Sequence, residues 1–484
     1  MKNKKTIILC DPSLKNFSGH HFMLTKQILD AIKTQYQVIE VWGHINADKK
    51  VVKALSCSAK FRRVFTESVY ESYSSIGRYE RTIRAWSSLS LKLLAKYLHF
   101  LAKFSIVKKF YENQFFGKTR QKKVIHLSEY RPAEEIWKLI KKFDVANDDI
   151  LLFHTSDGRT YRSIKCLIEL ADALDTELPS FHLATPYCTR IMPFLRQGQP
   201  IKSVLNAIDS RGRLGSTVKL YAENPRLAEH LSVKWDKSVG VLHIPVDKYA
   251  GKKMATRHRK KISINYLGNA REEKGFLLLA KLVKIVEGDI NLSQKFKFVV
   301  QATPQATGYT PMVSKAVKYL MGCDRSLVTL ILQNLSENEY RKYLLKSSVV
   351  FLCYQKSNYE YRSSGILAEA ISNNRVCMVT DGTYPQWASG RAGFTLDPTK
   401  DIKHQLCELS ENFNSIASEA MKEGKKYRER YSIENYRKSL GFDNISGSQS
   451  VMGSEKSQIN HHRDGMKSTA EYNRLRFVAM QKSD

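Results

Sequence analysis

Short apolar runs bounded by turn residues recur along the chain at Thr6 to Cys10, Gln37 to Trp42, Ile150 to Phe153, Ser180 to Ala184, Thr217 to Ala222 and Val239 to Ile244. Helical patterns fill most of the intervals between them. Strands that are apolar throughout, and separated by helices rather than two-residue turns, predict a parallel sheet covered on both faces, an α/β arrangement. A second series follows the basic stretch Lys252 to Lys261, with runs at Ile262 to Leu267, Phe296 to Ala302, Val328 to Gln333, Val349 to Leu352 and Val376 to Val379. The alternation therefore predicts two doubly wound domains, 1–247 and 254–425, joined by a linker at Pro245 to Lys253. A helix over 426–444 is expected to pack back on the first domain. Sheets of this kind bind ligands at the carboxyl ends of their strands, which places the expected cleft between the domains.

The chain has 484 residues, enough for two or three cores at about 150 residues per domain. Its 42% hydrophobic and 26% charged residues exclude a wholly disordered or collagen-like chain. From about Ile445 the sequence turns to Ser, Asn, Gln and Lys without a sustained period, so 445–484 is expected to be a disordered tail. The apolar start Thr6 to Cys10 is broken at once by Asp11 and Pro12, too short for a signal peptide. No run reaches the roughly 18 apolar residues a membrane span needs. The eight cysteines are scattered, with no C-x-x-C pair, and are expected to be reduced core residues in a reducing compartment. A cytoplasmic location is the expectation.

Charge changes the picture. The 78 Lys and Arg exceed the 47 Asp and Glu by 31, which favours anionic partners such as phosphates, acidic lipid or nucleic acid. Residues 1–130 alone carry 24 basic against 9 acidic side chains. Within them, 81–111 holds seven Lys or Arg and no acid, interleaved with Trp86, Leu89, Leu94, Leu98, Leu101 and Phe104. On a helix, Lys92, Lys96, His99 and Lys103 share one face while Leu94, Leu98 and Leu101 lie on another. Such a helix either rests in a membrane interface, with Lys92, Lys96, Lys103, Lys108 and Lys109 toward anionic headgroups, or packs on its own domain. Each cation near an anionic leaflet contributes about 1 kcal/mol, so four or five engaged together would matter. The expectation is peripheral association with an anionic membrane surface.

Three places carry candidate chemistry. The first is Lys15 to His21, K-N-F-S-G-H-H, between the opening strand and a helix from about Phe22 to Ile32. Gly19 would let backbone approach a ligand at a strand-to-helix turn. The second is Tyr266 to Gly275, Y-L-G-N-A-R-E-E-K-G, where Gly268 ends a strand. There Arg271 and Lys274 supply fixed positive charge where a diphosphate could sit. The third is Tyr359 to Ala370, Y-E-Y-R-S-S-G-I-L-A-E-A, with Ser363 or Ser364 expected to cap a helix. The amides around Gly365 can bind phosphate oxygens, and Glu369, one turn on in apolar company, can accept bonds from ribose hydroxyls. His154, followed by T-S-D-G at the end of Ile150 to Phe153, stands where the first domain could reach a ligand or merely orders the loop.

Taken together, the second and third motifs, then Asp381-Gly382-Thr383 and Trp387, resemble the donor half of retaining GT-B glycosyltransferases of the group-one (family 4-like) kind. The S-G-H-H turn also fits. The resemblance spans roughly 5–440, is specific over 266–387 and is loose over the first domain. It implies two Rossmann-like domains facing across a cleft, a nucleoside diphosphate sugar held mainly by the second, and a glycan or glycolipid acceptor held by the first. By resemblance Lys274 would clamp the diphosphate, Gly365 and Ile366 would meet phosphate through their backbone, Glu369 would hold the ribose, and Gly19 would match the first-domain glycine loop. Two positions depart from the pattern. The glutamate usual eight residues before Glu369 is replaced by Tyr361, with Glu360 one residue away, and the arginine usual after the strand-ending glycine is Asn269, with Arg271 nearest.

The implied reaction is sugar transfer to a hydroxyl acceptor in surface polysaccharide or glycolipid synthesis at the inner face of a membrane. Lys274, Arg271, His154 and Glu360 are the candidate catalytic residues, and Gly19, Gly268, Asn269, Ser364, Gly365, Ile366 and Glu369 the candidate donor-binding residues. Charge appearing on the departing diphosphate would be met by these cations and amides. No D-x-D carboxylate pair follows a strand, so neither a metal nor a cofactor is expected. The rivals are a basic nucleic-acid-binding protein, for which no recognisable module is present, and a GT-B scaffold that has lost catalysis.

Overall fold

The computed structural model describes residues 6–17, 20–32, 38–66, 127–186, 201–246, 261–305 and 308–440. The described residues belong to one compact unit. The tail 445–484, the segment 81–111 with Lys92, Lys96, Lys103, Lys108 and Lys109, the turn residue Gly19 and most of the linker lie outside the described residues.

The first half is built on β1 (Thr6–Asp11), β2 (Val38–His44), β3 (Lys60–Phe65), β4 (Ile150–Phe153), β5 (Ser180–Thr185), β6 (Val218–Ala222) and β7 (Gly240–Val241), in the order β3-β2-β1-β4-β5-β6-β7. The second is built on β8 (Ile262–Tyr266), β9 (Phe296–Gln301), β10 (Val328–Ile331), β11 (Val349–Leu352), β12 (Val376–Val379) and β13 (Gly393–Thr395), in the order β10-β9-β8-β11-β12-β13. Every pairing within these two sheets is parallel. Central strands such as I-L-L-F in β4 and V-V-F-L in β11 are buried at every position because helices cover both faces. Each sheet reverses direction of build-up next to its first strand, between β1 and β4 and between β8 and β11. The crevices at those carboxyl ends are where such sheets take ligands.

Two strands were absent from the sequence expectation. β3, K-F-R-R-V-F, is an edge strand whose outer positions remain charged, and Arg62 lies along its neighbour with Nε and Nη2 donating to Glu40 at 2.6 and 2.8 Å. β13 has only three residues. The expected break at 425/426 is also corrected. One helix runs unbroken from Ile402 to Arg430 through Gly424, whose lack of a side chain lets the helix press on Asn374 and the Ile371 carbonyl, and the turn falls at Tyr431 and Ser432. Ser432 then caps the helix Ile433–Ser439, which lies on the helix His20–Ile32 of the first half, with Arg437 Nε donating to the Ala31 carbonyl at 2.7 Å. This return crossing runs beside the outgoing one, since the Val246 amide donates to the Tyr431 carbonyl at 3.3 Å. Seven of the described cysteines are free thiols, and of these Cys57 is exposed rather than buried.

Candidate functional site

At the second switch point the strand β8 is followed by Leu267 and Gly268. Gly268 has φ +130°, a backbone region that side chains disfavour. A Cβ built on it would stand 3.7 Å from Lys274 Nζ and 3.5 Å from Ile366 Cδ1. The strand-ending glycine, the lysine and the first turn of the helix Gly365–Ser372 therefore meet at one point. The two elements singled out in the sequence face each other.

The loop that carries Lys274 is fixed by sterics. A 3₁₀ turn over Glu272–Lys274 closes on Gly275, which has φ +74° and leads into the helix Phe276–Glu287. That helix buries Phe276, Leu279, Leu282, Val283 and Val286 along one face, each large side chain contributing roughly 1.5–3 kcal/mol. Gly275 presses on the carbonyl of Cys353, just past β11, and the Gln355 amide donates to the Glu273 carbonyl at 3.0 Å. Lys274 is half-buried and forms no ion pair among the described residues. Burial, and then the charges of Arg271 and Arg362, push its pKa down to about 7, with Glu273 opposing. Arg271 Nη1 pairs with Glu273 Oε1 at 3.1 Å, but its Nε is buried with no hydrogen-bond partner. The charges of Arg271 and Arg362 are thus close enough to act on Lys274, and Arg271 Nε remains a buried donor without a partner.

The helix Gly365–Ser372 begins at Ser364, whose side chain does not cap it. Ser364 Oγ instead lies 3.3 Å from the hydroxyl of Tyr354. An absent cap costs about 0.5–2 kcal/mol, and burial of Leu367 and Ile371 in the core around β11 and β12 offsets it. The first-turn amides are consequently open, and nothing stands within 4 Å of a Cβ built on Gly365. Glu369, one turn on, is half-buried and accepts a short hydrogen bond from the Tyr340 hydroxyl, which fixes its carboxylate.

Other anticipated residues sit differently. Asn269 is exposed, and its amide donates to Thr303 Oγ1 at 3.2 Å and to the Pro304 carbonyl at 2.9 Å, so it ties the loop after β8 to the one after β9. Glu360 ends the short helix Lys356–Tyr359 and is half-buried. Tyr361 faces the first half, its ring stacked on His230 with centroids 4.2 Å apart. Beside it Glu223, at the end of β6, accepts a hydrogen bond from the Ser363 hydroxyl. Burial pushes the pKa of Glu223 up to about 7, and Ser363 and Arg362 only partly offset it.

At the first switch point His154 is buried, with both ring nitrogens engaged. Nε2 lies 3.1 Å from Thr25 Oγ1 and 3.2 Å from Asp11 Oδ2, while Nδ1 lies 3.1 Å from Thr155 Oγ1. His21 Nδ1 lies 2.9 Å from Asp11 Oδ1. Burial opposes ionisation of Asp11, but the charges and hydrogen bonds of His154 and His21 outweigh it and hold the carboxyl far below the usual carboxylate range. The sequence reading missed Asp11 and Thr25 in this cluster. A buried aspartate ending an apolar strand was the available signal. Among the described residues no group of three or more His, Cys, Asp or Glu is placed to hold a metal ion, and no helix is long and apolar enough to cross a membrane.

With this geometry in place, comparison with solved structures defines the fold. A glycosyltransferase from Rickettsia africae aligns with a TM-score of 0.57 at 12% identity, over 92% of this chain and 100% of that one. A UDP-forming α,α-trehalose-phosphate synthase from Burkholderia vietnamiensis aligns at 0.56 and 12%, over 91% and 99%. HepE from Anabaena, solved in complex with UDP, aligns at 0.55 and 9%, over 90% and 98%. No protein-family model matches the chain, and no curated protein matches it by sequence. The fold is GT-B, the two-domain glycosyltransferase architecture, with two parallel-sheet α/β halves facing across a cleft.

Proposed function

We propose that the protein is a retaining, metal-independent glycosyltransferase that moves a sugar from a nucleoside diphosphate sugar to a hydroxyl acceptor. The observation that carries this reading is the convergence of Lys274 Nζ and the uncapped helix start at Gly365 and Ile366 around Gly268. The unpartnered Nε of Arg271 adds a donor beside them. Structural neighbours include one bound to UDP and a trehalose-phosphate synthase bound to glucose-6-phosphate, which supports a nucleotide and a sugar as ligand classes.

In this reading the bond from the sugar's anomeric carbon to the diphosphate oxygen breaks as the bond to the acceptor oxygen forms. The acceptor attacks from the leaving-group side, and the diphosphate oxygen takes its proton. Lys274, Arg271 and the Gly365 and Ile366 amides meet the charge that builds on the diphosphate, a role in which one lost donor costs about 10²–10³ in rate. Glu369, oriented by Tyr340, holds the ribose hydroxyls. His154 and Asp11 order the first half's rim, where the acceptor binds, and closure of the cleft excludes water. Glu360 stands near the transferred sugar in place of the usual glutamate.

The test is a nucleotide-sugar panel read by thermal shift and then by turnover, since a ligand that binds only the native state raises its apparent stability. Glu369→Ala is expected to keep the fold and lose transfer by orders of magnitude, and wild-type turnover in that variant would remove the donor-site assignment. The acceptor is proposed to be a growing surface glycan or glycolipid at an anionic membrane, a reading supported by the basic composition of 81–111. Flotation with anionic vesicles should show binding that fades with salt and on neutralising Lys92, Lys96 and Lys103. Equal binding to neutral vesicles would count against it.

A further inference from the structure

The phosphate-facing helix belongs to the second half, yet the segment that leads into it is held from the first. Asn224 is fully buried directly after β6 and Glu223. Its Oδ1 accepts from the Leu227 amide at 2.8 Å, capping the helix Pro225–Trp235, while its Nδ2 donates to the Tyr361 carbonyl at 3.0 Å, four residues before Gly365. One amide side chain therefore closes a helix in the first half and grips backbone in the second. The neighbouring contacts point the same way. The Tyr361 ring stacks on His230 and also meets Arg226, whose guanidinium carbon is 5.5 Å from its centroid. Ser363 donates to Glu223, and Arg226 Nη1 reaches the Thr383 carbonyl at 3.5 Å. All of these partners come from the stretch 223–230.

We propose that Asn224, with Glu223 and the Tyr361 ring socket, is a positioning device by which the first half sets the helix start at Gly365, so that the donor site is complete only when the halves are docked. This rests on the donor-site reading above. It also accounts for the departure at position 361: a tyrosine stands there because its ring docks the halves. The chemistry requires an amide at 224. An aspartate or serine caps a helix as well as asparagine does, but aspartate has no N–H to donate and serine is too short to reach Tyr361. By linkage, whatever weakens this grip must weaken binding of a diphosphate at Gly365, and binding must tighten the grip in return.

The experiment uses the full chain and two variants, Asn224→Ser and Asn224→Asp, with melting temperature checked first so that Ser stands in if the buried Asp charge prevents folding. Hydrogen exchange without ligand reads the anchor directly: the hydrogen-bonded amides from Ala368 to Asn373 are expected to exchange about tenfold faster in the variant, those of β9 and β10 unchanged. Isothermal titration with UDP, GDP, ADP and CDP is expected to show about tenfold weaker binding of whichever nucleotide the wild type takes, consistent with loss of one buried hydrogen bond. Unchanged exchange at 368–373, or faster exchange with unaltered affinity, overturns the proposal. A wild type that binds none of the four nucleotides removes the donor-site reading instead, while the exchange result still decides the anchor.

Discussion

Gly275 stands against the carbonyl oxygen of Cys353 so closely that a Cβ there would fall well inside 3.0 Å, a separation real Cβ atoms do not show. Its φ of +74° adds a second penalty for any side chain. Gly275→Ala is therefore expected to destabilise the protein by about 2–4 kcal/mol, through overpacking and backbone strain together. Gly288→Ala, whose nearest neighbour would be at 3.5 Å, is the control and should be close to neutral. Urea denaturation of the two variants checks this. Equal midpoints would mean the loop carrying Lys274 is not held as described.

Lys274 gives a pH dependence with a definite sign. Its pKa is pushed down to about 7 by burial and by Arg271 and Arg362, so the ligand-free side chain loses its proton above neutrality. A diphosphate favours the charged form and must draw a proton in as it binds. Nucleoside diphosphate affinity should thus fall as pH rises from 7 to 9, by up to about tenfold per unit, with proton uptake visible as buffer-dependent heats. Lys274→Ala should bind weakly and without that dependence. Stability runs the other way. The depressed folded-state pKa opposes folding below about 7 and the opposition is relieved as pH rises toward the lysine's unfolded value, so Lys274→Met should raise the melting temperature most at low pH.

The buried cluster in the first half carries a different prediction. Asp11 is ionised between His21 and His154, and an amide in its place keeps one acceptor oxygen but turns the other, on which two imidazoles and Thr25 also draw, into a donor, and removes the charge. Asp11→Asn is expected to cost about 3 kcal/mol at neutral pH, the scale for breaking a buried pair. The depressed Asp11 pKa means that its contribution is complete above the usual carboxylate value and is lost as pH falls through the folded value, so the difference between variant and wild type should shrink in acid. Chemical denaturation at several pH values checks it. A difference that grows in acid would contradict the assignment of charge.

These residues also show what was legible beforehand. The central strands and the loops at Gly268 and Gly365 could be read because local sequence determines them: burial on both faces writes an apolar run, and a glycine marks the end of β8 and the start of the helix Gly365–Ser372. β3 was illegible because an edge strand that carries Lys60, Arg62 and Arg63 lacks that signature. Asp11 read as an interruption, since its partner Thr25 lies 14 residues away and His154 a further 129 residues along the chain, and only the parallel sheet brings them together. Tyr361 read as a substitution in a motif for the same reason. Its partners Arg226 and His230 belong to the other half.

The central claim is that a diphosphate lies between Lys274 and the start of the helix Gly365–Ser372. Crystals grown with the nucleoside diphosphate that the protein binds measure this directly. The account predicts phosphate oxygens within hydrogen-bond distance of Lys274 Nζ and of the Gly365 or Ile366 amide, with Arg271 Nε engaged. A nucleotide bound elsewhere, with Lys274 and those amides untouched, would contradict it.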